Sequence, residues 1–546
     1  MSKLIIYQLF PRLFGNYNET RKHNGSKEEN GCGRFVDINE RALQSIVELG
    51  ATHVWYTGVI RHATAQYNNP AITKGKAGSP YAITDYYDVD PDLAKDERKR
   101  MQEFEALVAR THKAGLDVLI DFVPNHVARE YKSACKPAGV EDLGENDHPE
   151  WAFSPLNNFY YIPGQKFTMD KDLQGYEEFP AKVTGNDCFT NHPSENDWYE
   201  TVKLNYGVYY QGGREKQFDP IPSTWTKMRD ILLFWADKGV DGVRVDMAEM
   251  VPVEFFAWAI KQVKKKHRKF LFIGECYDPK QYDAYLEAGF DYLYDKVGMY
   301  DYLRGITSKG WPAEGITNQW MQHGDERIKH MLYFLENHDE QRLASGFFCG
   351  DGRCAEPAMI VAATLNQCPV MIYSGQELGE RGMDMEGFSG IDGRTTIFDY
   401  WGVKSVQAWA NKGKFDGAHL NEEQRALRDF YQKLLTIARE DKAIQKGQMY
   451  DITYAQGEGF NRNKHFAFLR HTKGETLLAV VNFHDREQEI QVRVPNDAFV
   501  YLGLDEKPKA IATDLLCDEK RPLAFVADQP ICLTLPAWSG VVLKIK

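Results

Sequence analysis

The sequence predicts an α/β protein: a (β/α)8 TIM barrel with an inserted subdomain after its third strand and a C-terminal antiparallel β-sandwich domain. Three observations support this prediction. Short apolar runs recur along the first two thirds of the chain, one interval between them is about a hundred residues long, and after residue 446 the pattern changes to alternating strands.

The apolar runs have the length of single strands. Continuous apolar runs are typical of parallel strands covered on both faces, where a polar residue belongs only at the end. Eight such strands are the number in a β/α barrel. The predicted strands are 4–10, 53–59, 117–123, 242–247, 270–276, 291–297, 331–338 and 369–377.

Helical periodicity fills the intervals between the predicted strands. In residues 223–238, Ser223 or Thr224 can cap the start of a helix and Gly239 can end it. The apolar residues of this segment recur at helical spacing: Trp225, Met228, Ile231, Leu232 and Trp235. Residues 95–114 and 252–267 show the same pattern.

The long interval after the third strand, residues 127–222, is rich in Gly, Asn, Pro and aromatic residues and has weak periodicity. A structureless loop of that length is uncommon in a compact domain. We therefore predict an inserted subdomain over the barrel mouth. Residues 1–126 and 223–446 then form the barrel.

The C-terminal region has a different pattern. A long amphipathic stretch, 421–440, is followed by clean alternation in 489–494, and further strand candidates are 466–469, 476–481 and 541–545. These features predict a separate antiparallel β-sandwich domain over residues 447–546.

Composition and charge exclude several classes of protein. The net charge of −12 and the pI near 5.7, without a basic stripe, argue against a nucleic-acid partner. No apolar stretch has bilayer length, and residues 1–10 lack the apolar core of a signal peptide. We expect a soluble protein without a membrane partner; the oligomeric state is left open.

The nine cysteines are scattered and contain no Cys-x-x-Cys pair. This predicts neither a disulfide scaffold nor a zinc site. Reduced thiols favour a cytoplasmic location. A periplasmic or secreted location is the alternative if a leader has been removed.

Three carboxylates follow predicted strands. Asp246 follows Gly242–Val245, Glu275 follows 270–274, and Asp339 closes the motif at 331–339. The C-terminal ends of parallel strands are where a β/α barrel places its chemistry. We therefore expect these acids to form one site.

The motifs that contain these acids resemble the four short regions of the α-amylase family of glycoside hydrolases, family thirteen. They are Asp121–His126, Gly242–Asp246, Gly274–Glu275 and Asn337–Asp339. Supporting matches are Ile5–Arg12, Tyr81 with Asp85–Tyr87, Leu204–Tyr206 and Ile372–Glu377. The resemblance covers essentially the whole chain.

The resemblance implies a role for each acid. Asp246 would be the nucleophile, Glu275 the acid/base, and Asp339 the third carboxylate, which holds sugar hydroxyls. Retaining cleavage needs a nucleophile and an acid about 5 Å apart, and two neighbouring barrel strands can supply them.

The resemblance and the residues themselves also predict the surroundings of the acids. His126 and His338 resemble the family's sugar-binding histidines, and Tyr81 resembles its stacking platform. Arg244 alternates with Asp246, so both side chains face the same side. A cation there would keep Asp246 ionised, and the apolar strand before Glu275 favours the protonated form that an acid needs.

Each of these residues also has a structural reading. A single Asp after a strand is commonly a helix cap, Arg244 with Asp246 could be a structural ion pair, and a single His is commonly a core residue. These structural interpretations are less favoured than a shared functional site, because one motif follows each of several successive strands.

We expect no cofactor and assign no metal ligands. Asn125 matches a position that ligates calcium in calcium-dependent relatives, yet Glu249-Met250 stands where those relatives often have Lys-His. Methionine is no ligand for a hard cation, so we expect Asn125 to be structural, with calcium remaining possible. Glu249 would face the leaving group, and Arg394 and Asp392 would reach a distal sugar or be solvated.

The leading hypothesis is a retaining, endo-acting hydrolase of α-1,4 bonds in starch-derived α-glucans or maltodextrins. A cyclomaltodextrinase-like or neopullulanase-like hydrolase or a transglycosylase is the enzyme alternative. A non-catalytic glucan-binding or partner subunit is the alternative from another class, and the presence of all three acids counts against it.

Overall fold

The computed structural model describes residues 3–546 and contains the predicted barrel. Eight parallel strands close into a ring in which β8 pairs with β1. They are β1 Ile5–Leu9, β2 His53–Tyr56, β3 Asp117–Phe122, β4 Gly242–Val245, β5 Leu271–Gly274, β6 Tyr292–Tyr294, β7 Met331–Phe334 and β8 Val370–Tyr373. The (β/α)8 prediction is confirmed.

Several strands are shorter than predicted at their C-terminal ends. Asp246 and Glu275 directly follow β4 and β5, whereas Asp339 lies in the loop beyond β7. The prediction that all three acids end a strand is therefore wrong for Asp339. The chain leaves the sheet at the barrel rim, where polar side chains need room that the packed interior does not offer.

Alternate strand residues fill the barrel interior, as the period of two requires. The buried residues that form this layer are Ile6, Trp55, Leu119, Ile273, Tyr294, Leu332, Phe334 and Met371. The barrel is thus a packed core, and a substrate can enter only at its rim.

Helices surround the barrel. The helices that alternate with the barrel strands are α1 Glu40–Glu48, α2 Arg100–Lys113, α3 Ser223–Asp237, α4 Val253–Lys266, α5 Tyr282–Glu287, α6 Asp301–Lys309, α7 Glu356–Thr364 and α8 Glu422–Glu440. Other α-helices, the last of them in the C-terminal region, are Pro11–Phe14, Lys27–Asn30, Ile316–Met321, Gly324–Arg327, Lys404–Ala410, Lys442–Lys446 and Asn496–Leu502. A hairpin of Ile60–His62 and Ile83–Val89 follows β2.

Residues 127–222 contain short antiparallel pairs rather than a structureless loop. His126–Ala128 pairs with Thr201–Lys203, Tyr161–Ile162 with Ala181–Lys182, and Val208–Tyr209 with Glu215–Lys216. The first pair joins this segment to the loop that leaves β3.

The predicted cap of α3 is wrong. The N-cap residue is Pro222, and the hydroxyls of Ser223 and Thr224 accept hydrogen bonds from Asn158 Nδ2 at 3.0 and 2.8 Å. These hydroxyls therefore tie residues 127–222 to α3 instead of capping it.

The C-terminal region is the predicted antiparallel β-sandwich. A six-stranded sheet and a two-stranded sheet enclose a core of their own. The strands are β9 Gln448–Asp451, β10 His465–Thr472, β11 Glu475–Asn482, β12 Gln488–Arg493, β13 Lys507–Asp514, β14 Lys520–Phe525, β15 Pro530–Leu535 and β16 Ser539–Ile545. Arg470 donates to the carbonyl oxygens of Leu365 and Ile444 at 3.2 and 2.7 Å, which fastens the sandwich to the barrel.

The expectation of reduced thiols throughout needs one correction. Cys349 and Cys354 form a disulfide within the loop between β7 and α7. Sequence reasoning missed it because a five-residue separation in a loop has no distinctive pattern. No helix within residues 3–546 is long and apolar enough to cross a membrane.

Candidate active site

Arg244 lies at the centre of a cluster of acids beneath the barrel rim. Its Nη1 donates to Asp246 Oδ1 at 2.7 Å, because β4 places the two side chains on the same side. Its Nη2 lies 2.6 Å from Glu275 Oε1 on the neighbouring strand end. Two carboxylates thus share one buried guanidinium.

Two further groups position Glu275. The Tyr277 hydroxyl donates to Oε1 at 2.7 Å, and the Met247 backbone N–H donates to Oε2 at 2.8 Å. Met247 has a φ of 44°, a left-handed conformation that is uncommon for a side chain of this size. This turn directly after Asp246 aims the Met247 amide at Glu275, so the two acids are coupled through the backbone.

Asp339 is held by His338. The Nε2 of His338 lies 3.0 Å from Asp339 Oδ2 and also contacts the Tyr81 hydroxyl. On the other side of the ring, Gln8 Nε2 lies 2.9 Å from His338 Nδ1. The His338 ring is therefore fixed by side chains from several strand ends, and it orients both Asp339 and Tyr81.

Asp121, at the end of β3, is a further acid near Arg244. Its Oδ1 lies 4.0 Å from Arg244 Nη1, and its Oδ2 accepts from the Gly58 backbone N–H at 3.0 Å. The cluster therefore contains more negative than positive side chains, which favours retention of a proton among the acids.

Burial and neighbouring charges set the protonation of the acids. Burial raises the pKa of Asp246 well above its ordinary value, with Arg244 opposing the rise and Glu275 adding to it. The prediction that Arg244 keeps Asp246 ionised is therefore not supported, because Arg244 opposes the rise in the Asp246 pKa without cancelling it. Burial also works to raise the pKa of Asp339, but the charge and hydrogen bond of His338, together with the charges of Arg244 and Arg394, outweigh it, and the pKa is lowered.

The acids face a cavity of about 360 Å³ at the rim. Residues 127–222 and the loop after β8 both contribute residues to its walls. The lining residues are Lys74, Ser79, Tyr81, His126, Trp198, Glu200, Thr201, Asp246, Met247, Glu275, Tyr277, Asp339, Glu340, Phe388, Ile397 and Phe398. Its size is near the lower end of the 300–1,000 Å³ typical of small-molecule sites.

A larger cavity of about 640 Å³ lies between the barrel and the C-terminal domain. It contains none of the predicted site residues. The smaller cavity is the candidate active site, because the coupled acids lie there.

The structure brings all seven predicted site residues together. Tyr81, His126, Asp246, Glu275 and Asp339 line the cavity. Arg244 and His338 are buried and contact the cavity acids from below. Burial lowers the pKa of His126 to about 3, with Lys203 and Lys74 adding to the effect, so its ring is neutral.

Sequence reasoning missed several lining residues. Tyr277 follows Glu275 by two positions, and strand-like alternation was a usable signal for it. Trp198, Phe388 and Phe398 lie in irregular segments, where nothing local distinguishes a wall residue from a core residue.

The structure shows the contacts of three residues whose roles the sequence left open: Glu249, Arg394 and Asp392. Glu249 Oε2 accepts from the backbone N–H groups of Tyr277 and Asp278 at 3.0 and 2.9 Å, so it holds the turn after Glu275 rather than lining the cavity. Arg394 pairs with Asp392 at 3.3 Å. The charge of Arg394 contributes to the lowered pKa of Asp339.

The residues at the calcium position of the family do not fit calcium. Lys203 Nζ donates to Asn125 Oδ1 at 2.8 Å and lies 2.5 Å from Asp187 Oδ1. An ammonium group offers no lone pair to a metal and would repel a divalent cation.

Within residues 3–546, one group of His, Cys, Asp or Glu side chains has metal-ligand spacing: Asp85, Asp88 and Cys135. The oxygens of Asp85 already accept from Ser133 Oγ, Ala134 N and Cys135 N. Asp88 is paired with Arg61 and Arg100. This group is a structural network.

Comparisons with known proteins agree with this geometry. Residues 8–467 match the family description "Alpha amylase, catalytic domain". Maltase 1 of Drosophila virilis is 26% identical over 570 aligned residues, which cover 89% of this chain and 79% of that protein. Neopullulanase 2 of Thermoactinomyces vulgaris is 21% identical and covers 90% and 71%.

Solved structures show the same fold. A noncanonic maltogenic α-amylase from Thermotoga neapolitana superposes with a TM-score of 0.65 at 20% identity, covering 99% of this chain and 98% of that chain. An α-amylase from Geobacillus thermoleovorans, solved with acarbose, gives 0.65 at 18% identity and covers 100% and 98%. With the sequence match over most of its length, the chain belongs to the α-amylase family of glycoside hydrolases.

Proposed function

We propose that this protein is a retaining hydrolase of α-1,4-glucosidic bonds in starch-derived α-glucans or maltodextrins. The observation that supports it most directly is the sharing of Arg244 by Asp246 and Glu275, at 2.7 and 2.6 Å. Two carboxylates on one guanidinium are compatible with the spacing of about 5–5.5 Å found in retaining enzymes, which leaves no room for water between them.

Asp246 is the proposed nucleophile. Its oxygen accepts an aligned hydrogen bond from Arg244, whereas the Arg244 contact to Glu275 is an ion contact without that alignment. The Arg244 hydrogen bond stabilises the charged form of Asp246, which a nucleophile needs, and the motif at Gly274–Glu275 matches the family's acid/base region. The proposal therefore assigns the pair as one nucleophile and one acid/base.

The proposed reaction is the double displacement of retaining enzymes. The Asp246 carboxylate bonds to the anomeric carbon as the glycosidic C–O bond breaks, and the leaving oxygen takes the proton of Glu275. Water then gives a proton to the ionised Glu275, and the oxygen of that water bonds to the anomeric carbon as its bond to Asp246 breaks. Asp339, kept ionised by His338, is placed to hold sugar hydroxyls at the same centre.

The relatives support an α-glucan substrate. Their names include maltase, neopullulanase and α-amylase, which share that class of substrate and differ in bond and chain length. The preferred bond is to be read from the products formed from maltoheptaose, pullulan and a cyclodextrin. Rapid cleavage of pullulan or cyclodextrin, with little from maltoheptaose, would favour the neopullulanase-like alternative.

The roles of the acids are tested by Asp246→Asn and Glu275→Gln. A general acid contributes roughly 10²- to 10⁴-fold, and each variant is expected to lose at least that much activity. Glu336→Gln is the matched control, because Glu336 is a buried carboxylate paired with Arg342 at 2.9 Å and lies outside the cavity. Loss below about tenfold in a folded Asp246 or Glu275 variant would refute the assignment.

Retention is tested by the anomer released first. Double displacement inverts the same carbon twice, so fresh product should be the α anomer. Proton NMR before mutarotation distinguishes it from β. If no turnover is found but maltodextrin binds, the chain is the non-catalytic binding protein instead.

We also propose a cytoplasmic location, because seven of the cysteines are unbridged. The Cys349–Cys354 disulfide instead supports the alternative, a periplasmic or secreted location, which is an oxidising compartment. Fractionation of the source cell decides between the cytoplasmic location and this alternative.

A further inference from the structure

Lys203 is buried, with its side chain 1% exposed, at the junction between the barrel and residues 127–222. It lies at the end of the strand Thr201–Lys203, directly opposite His126 in the antiparallel pair. The active-site chemistry above makes no use of it. A buried lysine needs partners for its charge and its three N–H donors.

Three segments provide those partners. Asn125, in the loop after β3, accepts a hydrogen bond at 2.8 Å, and Asp187 supplies a carboxylate oxygen at 2.5 Å. The Tyr210 ring lies with its centre 5.1 Å from Nζ, a cation–π distance. The ammonium group therefore joins the barrel loop to two separate parts of residues 127–222.

The same network reaches the cavity wall. Asn125 Nδ2 donates to the Gly185 carbonyl oxygen at 2.8 Å, and the Gly185 N–H donates to Thr201 Oγ1 at 3.2 Å. Thr201 and His126 both line the cavity. Contacts made by Lys203 Nζ therefore help to fix the positions of Thr201 and His126 in the cavity wall.

We infer that the Lys203 ammonium group is a built-in cation that takes the place of a metal ion between Asn125 and Asp187. Both amide atoms of Asn125 are occupied, the oxygen by Lys203 and the nitrogen by Gly185. Lys203 neutralises Asp187 and supplies donors where a calcium ion would supply coordination. The cavity wall is therefore ordered without calcium at this position.

The inference is independent of the substrate and is tested first on the metal. The unmodified protein should show the same melting temperature in excess EDTA and in millimolar calcium chloride. A midpoint that falls in EDTA and is restored by calcium, with the response abolished in Asp187→Asn, would overturn the inference. A calcium response that persists in Asp187→Asn belongs to another position and leaves the inference standing.

The second test replaces the cation. Lys203→Met keeps the apolar stem but leaves Asn125 Oδ1 and Asp187 without the ammonium group. Its melting temperature should fall by about 1–3 °C, because the buried Asn125 Oδ1 loses its donor and the partly exposed Asp187 loses its cation. Its KM for maltoheptaose should rise severalfold. Lys203→Arg, which keeps the charge, should recover part of both losses.

Lys227→Met is the matched control. Lys227 Nζ also joins two regions, with contacts to Glu141 at 2.6 Å and Asn158 Oδ1 at 2.8 Å, but it lies away from the cavity. This control should lose stability while its KM is unchanged. A Lys203→Met protein with the melting temperature and KM of the unmodified protein would refute the inference, and so would an Arg variant no better than Met.

Discussion

Replacing Arg244 with methionine is expected to move the acid limb of the pH–rate profile to higher pH. The limb in kcat/KM reports the ionisation of the group that must be charged in the free enzyme, here the proposed nucleophile Asp246. Burial already raises the pKa of Asp246, and Arg244 opposes that rise. Loss of the guanidinium must therefore raise the pKa of Asp246 further.

The size of the shift follows from the contact that is lost. Arg244 Nη1 donates to Asp246 Oδ1 at 2.7 Å, and Arg244 is fully buried. A hydrogen bond to a charged group contributes about 1.5–3 kcal/mol, and one pKa unit corresponds to about 1.4 kcal/mol. The acid limb should thus rise by about one to two pH units, and activity below the limb should fall roughly 10- to 100-fold.

The assay is kcat/KM for maltoheptaose hydrolysis between pH 4 and 9, with circular dichroism to establish folding. Arg342→Met is the matched control, because Arg342 is also buried and paired with a carboxylate, Glu336, outside the cavity. Its acid limb should stay in place. Arg244→Lys keeps a cation and should show a smaller shift. An unmoved or lowered limb in a folded Arg244→Met protein would refute the reasoning.

Three further outcomes are expected. The folded-state pKa of Asp246 is raised, so its contribution to stability is present at low pH and is lost as pH rises through that pKa. Asp246→Asn cannot ionise, so it should melt at a higher temperature than the unmodified protein at pH 8 and at nearly the same temperature at pH 4. A lower melting temperature of the variant at pH 8 would contradict this. Tyr277→Phe removes the 2.7 Å hydrogen bond to Glu275 Oε1 and should lower kcat about tenfold with little change in KM, whereas a loss below twofold would exclude a positioning role. Alkylation of the denatured, unreduced protein should label seven thiols, and nine after reduction; nine before reduction would disprove the Cys349–Cys354 disulfide.

Much of the fold could be predicted from the sequence, because the patterns that specify its strands and helices are local. Apolar runs of strand length predicted all eight barrel strands, and alternation predicted the C-terminal sandwich. Strand ends were less accurate, as Asp339 shows, because hydrogen bonding stops where the chain leaves the rim and not where a polar residue appears.

The central acids were also readable from the sequence. Parallel strands bring their C-terminal ends to one rim, so residues after β4, β5 and β7 must meet whatever the loops do. The two-residue spacing of Arg244 and Asp246 fixed their common face. That Glu275 shares the same guanidinium was decided by the register of β4 against β5, in which Val245 lies beside Gly274.

The tertiary structure alone decided the remaining contacts. Lys203 meets Asn125 across 78 residues of chain, and Phe398 meets the cavity from the loop after β8. Such contacts depend on how irregular segments pack over the rim, and neither periodicity nor spacing records that packing. The sequence determined where the acids lie because each barrel strand is specified by a local apolar run, and that pattern repeats eight times. The residues that surround the acids were decided by long-range packing of segments that have no repeat.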